Sequence, residues 1–348
     1  MMISKSTYTT EHVNALRAKY QKDPSLLERV LFAFGLLEAL ARVGLPFLFK
    51  GGTSLMLIFE RPLRLSTDID ILVNPGENVD HYIHEAAKIF PFKSFEEKHR
   101  IGPNNIEKRH FRFYYNSPLR NEEFYIILDI VYTENPYHLI ETREINGELL
   151  LSDGSAVTVS MPSAECILGD KLTAFAPHTT GVPFGIDKEL EIIKQLFDVA
   201  ALTEKISNWE SVVKTYDRIV LNEIGYRNIA ISREEALLDT IQSCACIAGK
   251  GVYDKEEFSL FLKGIRSIGG HILSINYNLS IATEQACRVI HLASCLLTKR
   301  TYSPIQSPER YLAENISKSR YKKLSYMRSQ NINAFAHLVE ALRNLGEI

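Results

Sequence analysis

The pattern that most restricts this chain is Asp68-Ile69-Asp70-Ile71-Leu72-Val73, taken with the glycine pair Gly51-Gly52 and the hydroxyls of Thr53 and Ser54 upstream. In a β-strand, residues i and i+2 share a face. Asp68 and Asp70 therefore project together, while Ile69, Ile71 and Val73 take the opposite face. Adjacent carboxylates repel unless neutralised, and hard divalent cations prefer such oxygen donors. The apolar run Leu45-Pro46-Phe47-Leu48-Phe49 leads into the glycines, which let a ligand approach the backbone closely. The N–H groups that open the following helix favour an anion. The stretch is expected to form a phosphate cradle beside a metal site. The plainer alternative is a Gly-Gly turn, with Asp68 capping a helix or closing an Asx-turn.

A third aspartate, Asp129, lies inside the apolar run Phe124-Tyr125-Ile126-Ile127-Leu128-Asp129-Ile130-Val131. The run predicts a central strand, where an unpaired carboxylate is costly. A salt bridge to an arginine would satisfy Asp129, and so would a metal. Two aspartates on one strand and one on a neighbour suffice to hold two metals for phosphoryl transfer.

These residues resemble a known family. Gly51-Gly52-Thr53-Ser54, then Arg64-x-Ser66-x-Asp68-Ile69-Asp70, then Asp129 are similar to the polymerase-β-like nucleotidyltransferase superfamily, and within it to the AbiEii/AbiGii toxins of abortive-infection toxin–antitoxin systems. Gly169-Asp170-Lys171-Leu172-Thr173-Ala174-Phe175 and Lys194-Gln195-Leu196-Phe197-Asp198 resemble that family's later lysine and Lys-Asp-x-x-Asp motifs. Gln195 stands where the family usually has aspartate. The resemblance spans roughly residues 30 to 202.

It implies an α+β fold: a nucleotidyltransferase domain with a mixed sheet and flanking helices, then an all-helical C-terminal domain. It also implies an NTP substrate, two Mg²⁺ ions and a cognate antitoxin partner. Some relatives extend the acceptor end of tRNA, so tRNA or another RNA is an implied acceptor. On this basis Asp68, Asp70 and Asp129 are the metal ligands. Gly51, Gly52, Thr53, Ser54, Arg64, Lys171 and Lys194 are nucleotide contacts, and Lys171 and Asp198 join the aspartates in catalysis. By residue type alone, Lys171 reads as a solvated helix lysine, since lysines are usually exposed. Lys194 and Asp198, at i and i+4, could be a simple ion pair. Transfer to a small molecule or protein, or a non-catalytic module that binds NTP or antitoxin, remain alternatives.

The rest of the sequence sets the frame. Its 348 residues, with 45% hydrophobic and 24% charged content, suit a globular protein of two domains, with the boundary expected near residue 160: 1–160 catalytic, 161–348 helical. The net charge of −2 gives no global nucleic-acid signal. Residues 299–328, however, carry a net +6 interleaved with Tyr302, Tyr311, Tyr321 and Tyr326. That segment suits either RNA or a solvated helical face. Five cysteines without zinc spacing indicate reduced core thiols in a cytoplasmic protein. No membrane span is expected, because the apolar stretch from Val30 to Phe49 is broken by Glu38, Arg42, Gly44 and Pro46.

Helices are expected over residues 8–22, from Asp23-Pro24 to Gly44, after the glycines, over Val79–Ile89, after Pro162-Ser163 and over Asp187–Leu202. Strands are expected over Phe47–Lys50, Asp68–Val73, Ile106–Tyr115, the Asp129 run, and as two short segments around Asp153-Gly154. Glu38 falls within an apolar stripe and is expected to pair with Arg42 or to face the nucleotide. His178, in a breaker-rich loop, is expected to be a surface histidine or an acceptor contact.

Overall fold

A computed structural model describes residues 3–98, 107–155, 157–185 and 187–348. Ile106, where one strand was expected to begin, lies outside the described residues. The chain divides into two compact units, Met1–Ser163 with Gly270–Ile275, and Ala164–Gly269 with Asn276–Ile348.

The first unit contains α1 (Thr10–Tyr20), α2 (Pro24–Arg42), β1 (Leu48–Lys50), α3 (Gly51–Ile58), β2 (Ile69–Val73), α4 (Asp80–Ala86), β3 (Phe92–Glu97), β4 (Lys108–Asn116), β5 (Glu123–Tyr132), β6 (Ile140–Glu144) and β7 (Thr158–Pro162). Among the described residues, β1-β2-β5-β4-β3 form one mixed sheet and β6-β7 a second. Within the larger sheet β2 and β5 run parallel, and the other pairs are antiparallel.

Side-chain alternation decides which face of this sheet is core. Phe111, Phe113 and Tyr115 of β4 and Ile126, Leu128 and Ile130 of β5 are buried, while the residues between them are only partly covered. Each such buried aromatic or aliphatic side chain stabilises the fold by about 1.5–3 kcal/mol. Helix α2 packs on β2, β5 and α4, with Phe32 stacked on Tyr115 at 3.7 Å between ring centroids. Its start is built as the sequence predicts: Pro24 opens it, and the Asp23 carboxylate accepts the Leu26 N–H.

Three features depart from expectation. Strand β3 was not anticipated. Glu38 accepts the backbone N–H of Ile3 at 2.8 Å, a partner not anticipated; burial raises its pKa, and Arg42 opposes that rise. The loop before β2 is paired by Gly270–Ile275: Leu65 N–H donates to the His271 carbonyl at 2.9 Å, and Leu273 N–H to the Leu63 carbonyl at 2.8 Å.

The second unit is helical, with α5 (Ala164–Ala174), α6 (Glu189–Leu202), α7 (Trp209–Arg227), α8 (Arg233–Ala248), α9 (Lys255–Ile268), α10 (Leu279–Leu297), α11 (Met327–Gln330) and α12 (Ile332–Asn344). Helix α10 is central, packing on α6, α8 and α12, while α5 packs on α6 and α7. All five cysteines are buried free thiols. Among the described residues, no helix is long and apolar enough to cross a membrane.

Candidate active site

The half-covered face of the larger sheet carries one lateral row of polar residues. Register aligns Lys50 of β1 with Asp70 of β2, Asp70 with Asp129 of β5, and Asp129 with His110 of β4. Their sequence neighbours Phe49, Ile69, Ile71, Leu128, Ile130 and Phe111 are buried on the other face. Strand geometry therefore forces the four polar side chains onto one side. Two carboxylates at strand spacing repel by about 3 kcal/mol at an effective dielectric near 20. Lys50 flanks them at one end and the His110 imidazole at the other.

Each acid has partners on this chain. His110 Nδ1 lies 2.5 Å from Asp129 Oδ1. Asp68, two residues before Asp70 and 48% exposed, has Arg29 Nη2 at 3.6 Å and accepts the Thr67 hydroxyl at 3.3 Å. The glycine corner closes around Asp70. Gly51 has φ +80°, and a Cβ there would come 1.9 Å from Asp70 Oδ2. Only glycine supplies both the backbone conformation and the space. A Cβ on Gly52 would lie 2.8 Å from both Arg64 Nη2 and Ser66 Oγ. Arg64 is buried, with Nη1 donating to the Leu65 carbonyl at 3.2 Å. It therefore braces its loop while laying its guanidinium against the glycine turn.

The hydroxyls expected at the triphosphate serve the turn in this structure. Thr53 Oγ1 donates to the Asp68 carbonyl at 2.6 Å and Ser54 Oγ to the Gly51 carbonyl at 2.8 Å, and both residues are fully buried. Their first effect is to fix the spacing between the glycine corner and the aspartate strand.

The expected metal ligands can be checked against this geometry. Among the described residues, no group of three His, Cys, Asp or Glu side chains is arranged to hold a metal ion as it stands. One oxygen of Asp129 is taken by His110, and Arg29 lies beside one of Asp68. The donor type and the alignment of Asp70 with Asp129 nevertheless fit a hard divalent cation, which would take over the neutralising role of those side chains.

In the helical unit, Lys171 of α5 meets α6. Its Nζ lies 3.0 Å from Asp198 Oδ2 and donates to Gln195 Oε1 at 3.0 Å. The anticipated Lys194–Asp198 pair does not form: Lys194 pairs with Glu191 at 2.9 Å, because Asp198 faces α5 and is only 1% exposed. Nor is Lys171 solvated, since its side chain is 12% exposed. Gln195 contributes a neutral oxygen to this cluster, where a second carboxylate would leave surplus buried charge. The predicted site residues thus form two groups, one in each unit: Gly51, Gly52, Arg64, Asp68, Asp70 and Asp129, and Lys171 with Asp198.

His178 is neither an ordinary surface histidine nor free to act as a base. Its Nδ1 is 2.7 Å from Asp239 Oδ1 and its Nε2 3.4 Å from Glu257 Oε2, which pushes its pKa up to about 10. It is a fixed cation that pins its loop to α8 and α9. The tyrosines of the basic segment also differ from expectation, because Tyr302 and Tyr321 are buried and unavailable for stacking on bases. Sequence reasoning missed Lys50, Arg29 and His110 as site neighbours. The alternation that put His110 opposite the phenylalanines was the available signal, but only the strand register gives its partner.

A glycine corner set against paired strand aspartates defines, with the family match, a nucleotidyltransferase. Residues 35–242 match the family described as nucleotidyl transferase AbiEii toxin of type IV toxin–antitoxin systems, and the chain belongs to that family. The match runs some forty residues further than the resemblance read from motifs. Membership implies an NTP substrate and an antitoxin partner. Among solved structures, the chain is similar to JHP933 from Helicobacter pylori, with 16% identity, 78% of this chain and 93% of that chain covered, and a TM-score of 0.46. It is similar also to a proposed nucleotidyltransferase from H. pylori, with 15% identity, 78% and 96% coverage, and a TM-score of 0.45. None of the curated proteins matches this chain.

Proposed function

We propose that this toxin transfers a nucleoside monophosphate from an NTP to the 3′ end of an RNA, with tRNA as the favoured acceptor, and that Asp68, Asp70 and Asp129 form the reactive centre with Mg²⁺. The observation that carries this reading is the in-register pairing of Asp70 with Asp129 beside the bare backbone of Gly51. When bound by these carboxylates, Mg²⁺ supplies Lewis acidity that favours ionisation of the attacking hydroxyl and neutralises the departing pyrophosphate. The chain's own residues do the rest. Gly51 and Gly52 leave room for Asp70 and Arg64 to close on the turn, and Arg64 and Lys50 supply positive charge for phosphate oxygens. His110 holds the Asp129 carboxylate in place through its Nδ1 contact. Within the helical unit, the buried Lys171–Asp198 pair, joined by Gln195, braces α5 against α6. The exposed lysines and arginines of 299–328 support an RNA acceptor through backbone charge rather than through base stacking.

The test is incubation of the protein with each α-labelled NTP, Mg²⁺ and total RNA, followed by separation of RNA, protein and small-molecule fractions. Label is expected in RNA of tRNA size with wild type and not with Asp70→Asn. Label confined to protein or small molecules would overturn the acceptor assignment. Equal label from both proteins would overturn the role of Asp70.

A further inference from the structure

The helical unit holds a polar cavity of about 370 Å³ among the basic residues of 299–328. It lies between the end of α10, the irregular segment that follows it, and α12. Arg300 and Arg310 both line it, with hydroxyls from Thr301, Ser303 and Ser307. Arg300 is steered by an amide rather than a carboxylate: its Nη1 donates to Asn344 Oδ1 at 3.3 Å. Asn344 is itself fixed, donating to Ser294 Oγ at 3.0 Å. Arg310 is exposed and makes no ion pair within the described residues. The carboxylate on the wall, Glu340, is occupied by Arg343 Nη1 at 2.5 Å, and Arg343 also binds Glu314. His291 at the floor is buried and adds no charge, because desolvation pushes its pKa down to about 4.

Two guanidinium groups therefore share one small cavity, and the Glu340 carboxylate on its wall is engaged by Arg343. Like charges so placed favour an anionic ligand, and the planar fork of arginine matches phosphate oxygens. We propose that this cavity binds a phosphate monoester, with Arg300 and Arg310 as its anion contacts and the hydroxyls of the 301–307 segment as further donors. The volume accommodates a phosphate with part of its sugar. The group is carried either by a free nucleotide or by the 5′ end of an RNA. The site is built wholly from the helical unit and does not depend on the aspartates.

Isothermal titration of the full-length protein in EDTA distinguishes these cases, with inorganic phosphate, AMP and a short 5′-phosphorylated RNA as probes. Wild type and Asp70→Asn are expected to bind alike. Arg310→Gln is expected to weaken binding about tenfold or more, the scale of one hydrogen bond to a charged group. Arg328→Gln, which removes a charge elsewhere in the same basic segment, should leave it within twofold. Arg300→Gln should match Arg310→Gln, and because Arg310 is exposed, its variant keeps the test valid if Arg300→Gln does not fold. AMP binding as tightly as the RNA assigns the site to a free nucleotide. Loss of RNA binding on removal of its 5′ phosphate assigns it to the RNA end. Equal losses from Arg310→Gln and Arg328→Gln, no loss from Arg310→Gln, or no binding of any probe would overturn the proposal.

Discussion

The acids of the sheet and the acid of the helices live under opposite conditions. Asp68 and Asp129 are 48% and 29% exposed, beside Arg29 at 30% and His110 at 15%. Asp198 is 1% exposed and faces a lysine that is itself nearly enclosed. Carboxylates that reach water can exchange a partner for a ligand at small cost. A buried pair cannot be opened without stranding a charge. The same residue types thus make a reactive surface in one unit and a fixed strut in the other.

The largest effect that could break this contrast is Asp70→Asn. Nucleotidyl transfer should fall about a thousandfold, the scale of several kcal/mol of lost charge stabilisation, with an unchanged or slightly raised denaturation midpoint. A large drop in stability would show that the row is a strut after all. Asp198→Ala should do the reverse to the fold, removing about 3–5 kcal/mol in denaturant titrations by leaving Lys171 buried without its partner. Gly51→Ala falls between them. Strain at φ +80° and collision with Asp70 should cost about 1–3 kcal/mol and displace the carboxylate, so stability and transfer decline together.

Two histidine environments sharpen the contrast through pH. The pKa of His178 is raised from 6.5 to about 10 by Asp239 and Glu257, so its contribution is complete below 6.5 and is lost as pH rises towards 10. Its side chain is half exposed, which limits the effect to about 1 kcal/mol. His178→Gln should flatten the alkaline decline of the unfolding midpoint. His291 and His337 are shifted the other way by burial, His291 to about 4, so their stabilising contribution is present above 6.5 and lost as pH falls from there. The smallest effect is expected from His110→Ala: a few-fold loss of kcat with little change in KM, as befits a residue that positions Asp129.

Much of this contrast was legible before any coordinates. Period-two spacing placed Asp70 on a strand, the apolar run placed Asp129 on another, and the glycine pair marked the corner. Sequence did not disclose pairing between distant segments. His110 and Asp129 are both strand residues, but only the β4–β5 register makes them opposite neighbours. Lys194 is the nearest lysine to Asp198 along its helix, yet helix packing delivers Lys171 from α5 instead. The β3 segment Phe-Lys-Ser-Phe-Glu-Glu alternates too weakly to announce a strand, and it pairs with β4 through an irregular register. Buried Tyr302 and Tyr321 show the same limit, since spacing along the chain does not say which aromatics turn inward.

The pairing of Gly270–Ile275 with the loop at Leu63–Leu65 has a practical consequence. A fragment cut after Ser163 would retain every aspartate of the row yet lack the strip of backbone that holds the Arg64 loop in shape. Nucleotide handling in the sheet-bearing half is thus tied to chain translated more than a hundred residues later, and synthesis must pass residue 275 before that corner can set.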